Sequence, residues 1–208
     1  MKKIFIISVL CITHVFCNAQ YIWYFGDSAG LKFSCNNLPT AYVSPNKNPV
    51  KTKEGCAMAY DDYGNVIMST NGVTLFNKNN QPMPNGTGLW GGISGTQNSI
   101  IIPVPGCSNK YFLFTLPQIE GYDNANQSII QRGFRYCVID LTLDGGNGDI
   151  IPSRKNLPII SSIPFELPYN SKFVGTCAER LAACKDGGNG YWVVVKGYKQ
   201  KIDEQFFA

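Results

Sequence analysis

Histidine is all but missing from this 208-residue chain, and its one copy, His14, sits in an apolar leader. Beyond residue 19 there is no imidazole, which excludes Ser-His-Asp and Cys-His catalysis and any His-ligated metal there. Charge is scarce as well. Charged residues make up 15% of the chain, against roughly 25% in ordinary soluble domains. The basic residues are scattered, and without Lys2 and Lys3 sixteen of them face fourteen acidic ones. That balance lacks the electrostatic footprint of a nucleic-acid binder. No cysteine pair has CxxC spacing, so a structural zinc site has no support. No apolar run after residue 16 is long enough to span a membrane.

The leader itself is informative. Lys2 and Lys3 form a basic start, and Ile4 to Phe16 is apolar apart from Ser8, Thr13 and His14. Thirteen residues are too few for a bilayer core of roughly 30 Å. Cys17-Asn18-Ala19 then supplies small residues where a signal peptidase reads. Residues 1–19 are therefore expected to be a signal peptide cut between Ala19 and Gln20, leaving residues 20–208 as one exported domain, secreted or held at the cell surface. Lipidation at Cys17 is disfavoured by the bulk of Phe16. Six cysteines follow: Cys35, Cys56, Cys107, Cys137, Cys177 and Cys184. An oxidising compartment allows disulfides among them, with fifteen full pairings between which spacing does not choose, or a role as small buried hydrophobes.

What the chain has in quantity is turn chemistry: 21 Gly, 12 Pro and 19 Asn. Glu54 to Asn77 reads EGCAMAYDDYGNVIMSTNGVTLFN, and Glu179 to Tyr198 echoes it as ERLAACKDGGNGYWVVVKGY. Each copy is a Glu, a small-residue strand, an Asp/Gly/Asn turn and an apolar strand. Recurrence of such a unit marks a repeat architecture in which each copy buries its faces on its neighbours. The fold class expected is all-β: a partial β-propeller of about three four-stranded antiparallel blades from an incomplete seven-bladed-type ring.

Tyr21–Phe25 and Leu31–Ser34 read as a hairpin, and residues 36–53 as a loop. Cys56–Tyr60, Val66–Ser69 and Val73–Asn77 follow as strands, with Leu89-Trp90 a short fourth. The second unit takes Ser99–Ile102, Tyr111–Leu116, Phe134–Leu143 and Ile150-Ile151. The third takes Leu181–Cys184, Tyr191–Lys196 and a strand opening at Asp203–Ala208. Aligning second strands puts Val66, Tyr111 and Tyr191 in register, and the innermost strands are expected at Cys56–Tyr60, Ser99–Ile102 and Leu181–Cys184. DGGNG occurs at 144–148 and again at 186–190, in different hairpins of their units, so the two are similar turns and not the repeat.

No compact catalytic constellation stands out. Glu54 and Glu179 occupy matching positions, so glycoside hydrolysis by paired carboxylates has to be weighed against a structural role. Asp61-Asp62 with Asn65, and Asp144 with Asn147 and Asp149, offer oxygens, but neither has EF-hand spacing and both read as Asx turns. Among the aromatics, Trp23, Tyr24, Trp90, Tyr122 and Tyr136 are candidates to stack on sugar or anchor a protein, weighed against core packing. Trp23 and Tyr24 are adjacent and should face opposite ways, so one of them belongs to the core. The low-charge loops leave Glu54, Glu179, Trp90 and Tyr122 as the ligand-facing candidates. No catalytic, metal or cofactor residue is assigned. Asn85-Gly86-Thr87 and Asn126-Gln127-Ser128 are glycosylation sequons and mark surface loops.

The strings WYFGDSAGLKF (23–33), EGCAMAYDDYGNVIMSTNGVTLFNKNNQPMPNGTGL (54–89), GTQNSIIIPVPGCSNKYFLFTL (95–116), RYCVIDLTLDGGNGDI (135–150) and NGYWVVVKGY (189–198) together resemble a known family. It is the N-terminal propeller region of large Bacteroidetes surface proteins exported by type IX secretion, which end in a gliding-motility-associated, type B sorting domain. The resemblance implies a seven-bladed-type propeller for adhesion or surface display, with no catalytic residues to carry over. Asp27-Ser28-Ala29 also resembles the three-residue O-glycosylation signal of such bacteria. No sorting domain is present by Ala208, so the chain is expected to be an N-terminal piece, aggregation-prone as an open arc.

Two functions from different classes follow. The first is a non-catalytic secreted or cell-surface scaffold or adhesion module, binding glycan or protein through propeller loops. The second is a fragment of a secreted propeller enzyme, a glycosidase or lyase with acids at a central channel. The missing histidine and the lack of an acid cluster favour the first, and the reading is of a protein that is not an enzyme.

Overall fold

A computed structural model describes residues 22–34, 37–44, 47–118, 133–159, 177–197 and 206–207. The leader with Ala19 and Gln20, Tyr122 and the Asn126 sequon lie outside them. The described chain is all-β, built as four small antiparallel sheets, none closed on itself. Among these residues no helix is long and apolar enough to cross a membrane.

The first sheet holds β1 (Ile22–Phe25), β2 (Ala29–Ser34) and β3 (Asn37–Ala41). The second holds β4 (Ala57–Tyr60), β5 (Val66–Thr70) and β6 (Leu75–Asn77). The third runs β10-β9-β8-β7, from β7 (Ser99–Pro103), β8 (Lys110–Thr115), β9 (Arg135–Asp140) and β10 (Asp149–Ile150), with β11 (Leu157–Pro158) also on β9. The fourth is β12 (Cys177–Lys185), β13 (Tyr191–Gly197) and β14 (Phe206–Phe207).

Several expectations need correction. The sheets have three, three, five and three strands, not four each. Residues 37–41 form a strand and not part of a loop, because Leu31 and Lys32 supply a ladder for Ala41 and Thr40. Leu89-Trp90 is not a strand. Leu89 and Gly91 do donate main-chain bonds to Val73 and Gly72, but the glycines around them break any regular ladder. The strand of the final segment is confined to Phe206 and Phe207, which pair with Lys196 and Val195.

The sheets stack face to face in chain order. Alternation along a strand gives each sheet two faces, and the inner sheets bury both. Tyr24, Val50 and Phe76, with Ile22, Met58 and Val66, fill the space between the first and second sheets. The opposite face of the second sheet (Ala59, Met68, Leu75) meets Leu113, Cys137, Ile139 and Ile150 of the third. The third sheet's other face places Ile100 and Phe114 against Leu181, Val193 and Val195 of the fourth. Tyr24 is 4% exposed and Trp23 53%, so the adjacent pair divides between core and surface as alternation requires.

The leading strands β4, β7 and β12 are each an edge strand of their sheet, and β7 lies beside both of the others. Side by side they crowd, and Ala57, Ala59 and Ala183 suit that position. Opposite Tyr60, Pro103 and Lys185 stand Val66, Tyr111 and Tyr191, the register expected from the repeat. The echo extends to the turns. Asp61 Oδ1 accepts from the backbone N–H of Tyr63 and Asn65, and Asp186 Oδ1 accepts from Gly188 and Gly190, the same two offsets. The DGGNG copy at 144–148 adopts a different, 3-10 turn with Asp144 at φ 50°.

Asn98, just ahead of β7, is fully buried. Its amide donates to the carbonyls of Asn71 and Gly92, its Oδ1 accepts from the Ser99 hydroxyl, and its own carbonyl accepts from Leu116 N–H. Removing the side chain strands the buried Gly92 carbonyl and the partly buried Asn71 carbonyl. Asn98→Ala is expected to destabilise the fold by about 2–3 kcal/mol, read as a lower denaturant midpoint with unchanged slope. Asn98→Asp, which replaces the donor with an acceptor, should cost at least as much. An Asn98→Ala protein as stable as the parent would refute the hub.

Candidate functional site

The two glutamates singled out by the repeat come together on one residue. Glu54 precedes β4, Glu179 lies early in β12, and the segment between them in space is Gly95–Gln97, leading into β7. Thr96 Oγ1 donates to Glu54 Oε2 at 2.7 Å, and Thr96 N–H donates to Glu179 Oε2 at 3.2 Å. Main-chain bonds run alongside: Lys53 N–H to Ile93 O, Gly55 N–H to Gly95 O, and Gln97 N–H to Glu179 O. The three leading segments thus lie next to one another at one end of the stack. The approach is close. A Cβ on Gly55 would stand 2.6 Å from the Gly95 carbonyl oxygen, which is why glycine is required there.

Chemically, two carboxylates, Glu54 exposed and Glu179 half-buried, share one uncharged residue as their donor. That arrangement holds the strand ends together. Thr96 was missed from sequence because its own type carries no charge signal and its partners are 42 and 83 residues away.

Trp90 is half-buried and already occupied. The Arg135 guanidinium carbon sits 4.6 Å from its ring centroid, and its backbone N–H donates to Asn156 Oδ1. Tyr136 packs against Phe112 and Phe114. Asn85 is not on a free surface loop: its amide donates to Asp149 Oδ2 at 2.6 Å and its backbone N–H to Oδ1, and Asp149 is buried. A glycan on that amide would break the contact between the second and third sheets. Ser28 occupies the turn between β1 and β2 with φ 66°, its N–H bonded to Val50 O.

Thiol and metal chemistry find little support. Cys56, Cys107, Cys137 and Cys184 are free thiols. Burial pushes the Cys56 and Cys137 thiols up, so neither is a ready thiolate. Cys56 instead donates to Tyr24 O. Among the described residues no three His, Cys, Asp or Glu side chains gather as a metal site. Asp61 and Asn65 spend their oxygens and amide on each other, and Asp144 and Asp149 belong to separate contacts.

No family model, no curated protein and no solved structure matches this chain.

The Asx turn at Asp61 makes a pH prediction. Burial is the largest single influence and raises its carboxyl, but hydrogen bonds from the Asn65 side chain and from the N–H groups of Asn65, Tyr63 and Gly64 together outweigh it and hold the carboxyl below the usual range. Asp140 is held low by the Thr142 hydroxyl and N–H, with Lys110 assisting. A carboxyl depressed by folding adds stability above its unfolded value, about 4, and that stability is lost as pH falls through the folded value. Urea midpoints should therefore drop as pH is lowered below about 4, and Asp61→Ala should make the drop shallower. Equal slopes for parent and variant would contradict this account of the turn.

Proposed function

We propose that the chain is a non-catalytic scaffold or adhesion module, exported by its leader, whose sheets are successive blades of a β-propeller and whose rim loops bind glycan or protein. The observation that carries this reading is the serial stack. Four antiparallel sheets follow in chain order, each covering the next, with the leading strands β4, β7 and β12 side by side. Blades around an axis have that relationship, and their loops form a broad binding rim. The resemblance to the N-terminal propeller region of type IX-secreted, type B-sorted surface proteins supports the same reading and extends it to display at the cell surface. Burial makes Cys56 and Cys137 poor nucleophiles, and the Asp61 turn spends its oxygens internally, so neither supplies a reactive group.

One observation favours a second reading. Glu54 and Glu179 converge on Thr96 from two different sheets, as acids at the channel of a propeller glycosidase or lyase would. A glycan array run beside a hydrolysis screen separates the two. We expect retained ligand and no product. Turnover abolished by Glu54→Gln or Glu179→Gln would replace the scaffold reading with the enzyme, and neither binding nor turnover on any glycan would restrict the scaffold to protein ligands.

A further inference from the structure

Asn-Gly occurs at 71–72, 85–86, 147–148 and 189–190. The pair is chemically distinctive because glycine has no side chain to keep its backbone nitrogen away from the neighbouring amide carbon. Whether the two meet depends on how the fold holds them. At the first three pairs both groups are held. Asn71 Oδ1 accepts from the N–H groups of Val73 and Thr74, its amide donates to Lys51 O, and Gly72 N–H donates to Thr70 Oγ1. The Asn85 amide donates to Asp149, and buried Gly86 donates to Met83 O. Asn147 donates to Asp144 O and accepts from the Asn79 amide, while buried Gly148 donates to Leu143 O. The fourth pair differs. Asn189 is exposed in the turn between β12 and β13, and among the described residues its side chain has no hydrogen-bond partner. Only Gly190 is restrained, its N–H donating to Asp186 Oδ1 at 3.1 Å. Residues 144–148 and 186–190 are the same pentapeptide, DGGNG. One local sequence thus sits in two environments, and any difference in reactivity between the copies belongs to the fold.

We propose that Asn189 is a site of spontaneous deamidation, closed through Gly190 and restrained by Asp186, and that the other three pairs are protected by the fold. The Gly190 nitrogen gives its proton to solvent and bonds to Asn189 Cγ. The Cγ–Nδ2 bond then breaks and ammonia leaves, which closes a succinimide. Water opens that ring at either carbonyl and leaves aspartate or isoaspartate at position 189. The only co-reactant is water. The ring nitrogen carries no hydrogen, so the bond from Gly190 to Asp186 must break before the ring forms. The Asp186 charge also opposes the negative charge that develops as the nitrogen attacks. The product places a second carboxylate in the Asp186 turn, and as isoaspartate it adds a backbone methylene where the chain sets Lys185 opposite Tyr191. Both changes work against the turn that closes this hairpin. The inference is independent of what the rim loops bind.

The experiment holds the full chain folded in mildly alkaline buffer, digests samples at intervals and maps each Asn-Gly pair by mass spectrometry, with isoaspartate read by an isoaspartyl methyltransferase assay. Amide loss should appear first at 189 and run about tenfold or more faster than at 147, where several hydrogen bonds must open before reaction. It should quicken as pH rises, since the Gly190 nitrogen must lose its proton. In denaturant the two DGGNG copies should react at similar rates. Asp186→Asn and Asp186→Ala should each speed loss at 189 by about threefold or more and leave 147 unchanged. Equal rates at 189 and 147 in the folded chain, or faster loss at any of the other three pairs, overturn the proposal. So does an intact Asn189 in a folded chain whose denatured form reacts at both copies. Asp186 variants that react no faster than the parent refute the restraint. Thermal melts confirm that the variants fold, and if Asp186→Ala does not, the isosteric Asp186→Asn decides by the same criteria.

Discussion

The structure depends on a polar seam at the ends of its leading strands. No sheet here is large enough to hide its own apolar side chains, so the stack exists only if the sheets are held at one spacing. Main-chain bonds from 53 to 93, 55 to 95 and 97 to 179 fix that spacing across three sheets. Buried Asn98 anchors the seam to the turn at Asn71-Gly72 and to the end of β8. Polar groups at that depth are stable only when paired, so the seam tolerates little variation. Gly55 and Gly72 stand against it because a Cβ would collide with Gly95 or with the Asn98 side chain.

Away from the seam, different chemistry does the joining. The first and second sheets are linked by Tyr60 Oη to Ile22 O, Cys56 Sγ to Tyr24 O and Tyr24 N–H to Met58 Sδ, side chains reaching where no ladder runs. At the far turns of the second and third sheets, Asp149 holds Asn85, Asn156 holds Trp90 and Gly88, and Lys155 reaches Thr87 O. Between these polar ends lies the apolar filling. The hydrophobic effect supplies the driving force without direction, and the directional bonds at both ends set the order in which sheets meet.

How much of this could be read from sequence follows from how local each signal is. Strand positions and the Asx turn at Asp61 were legible because two-residue alternation and the Asp-x-x-x-Asn pattern are written within ten residues, whereas the Asp144 segment, also read as an Asx turn, forms a 3-10 turn without a side-chain cap. The equivalence of Val66, Tyr111 and Tyr191 was legible for the same reason. β3 was not, since Asn37-Leu38-Pro39-Thr40 has loop composition and is exposed throughout; only β2 beside it makes it a strand. Thr96 was not legible either, because its meaning comes from two glutamates in other sheets. Trp90 looked like an exposed aromatic until Arg135, 45 residues on, proved to cover it.

The same distinction bears on where function can reside. Residues that form the seam are committed to it: a substitution at Asn98 or Gly55 that changed ligand binding would change the stack first. Glu54 and Glu179 differ, because each reaches Thr96 with a side-chain oxygen from outside the buried core, Glu54 exposed and Glu179 half-buried. A carboxylate has about four acceptor sites, so a single bond to Thr96 does not exhaust Glu54, the exposed member of the pair. The seam preorganises the rim, and the rim is the part of the molecule where loop sequence can vary without disturbing the packing beneath.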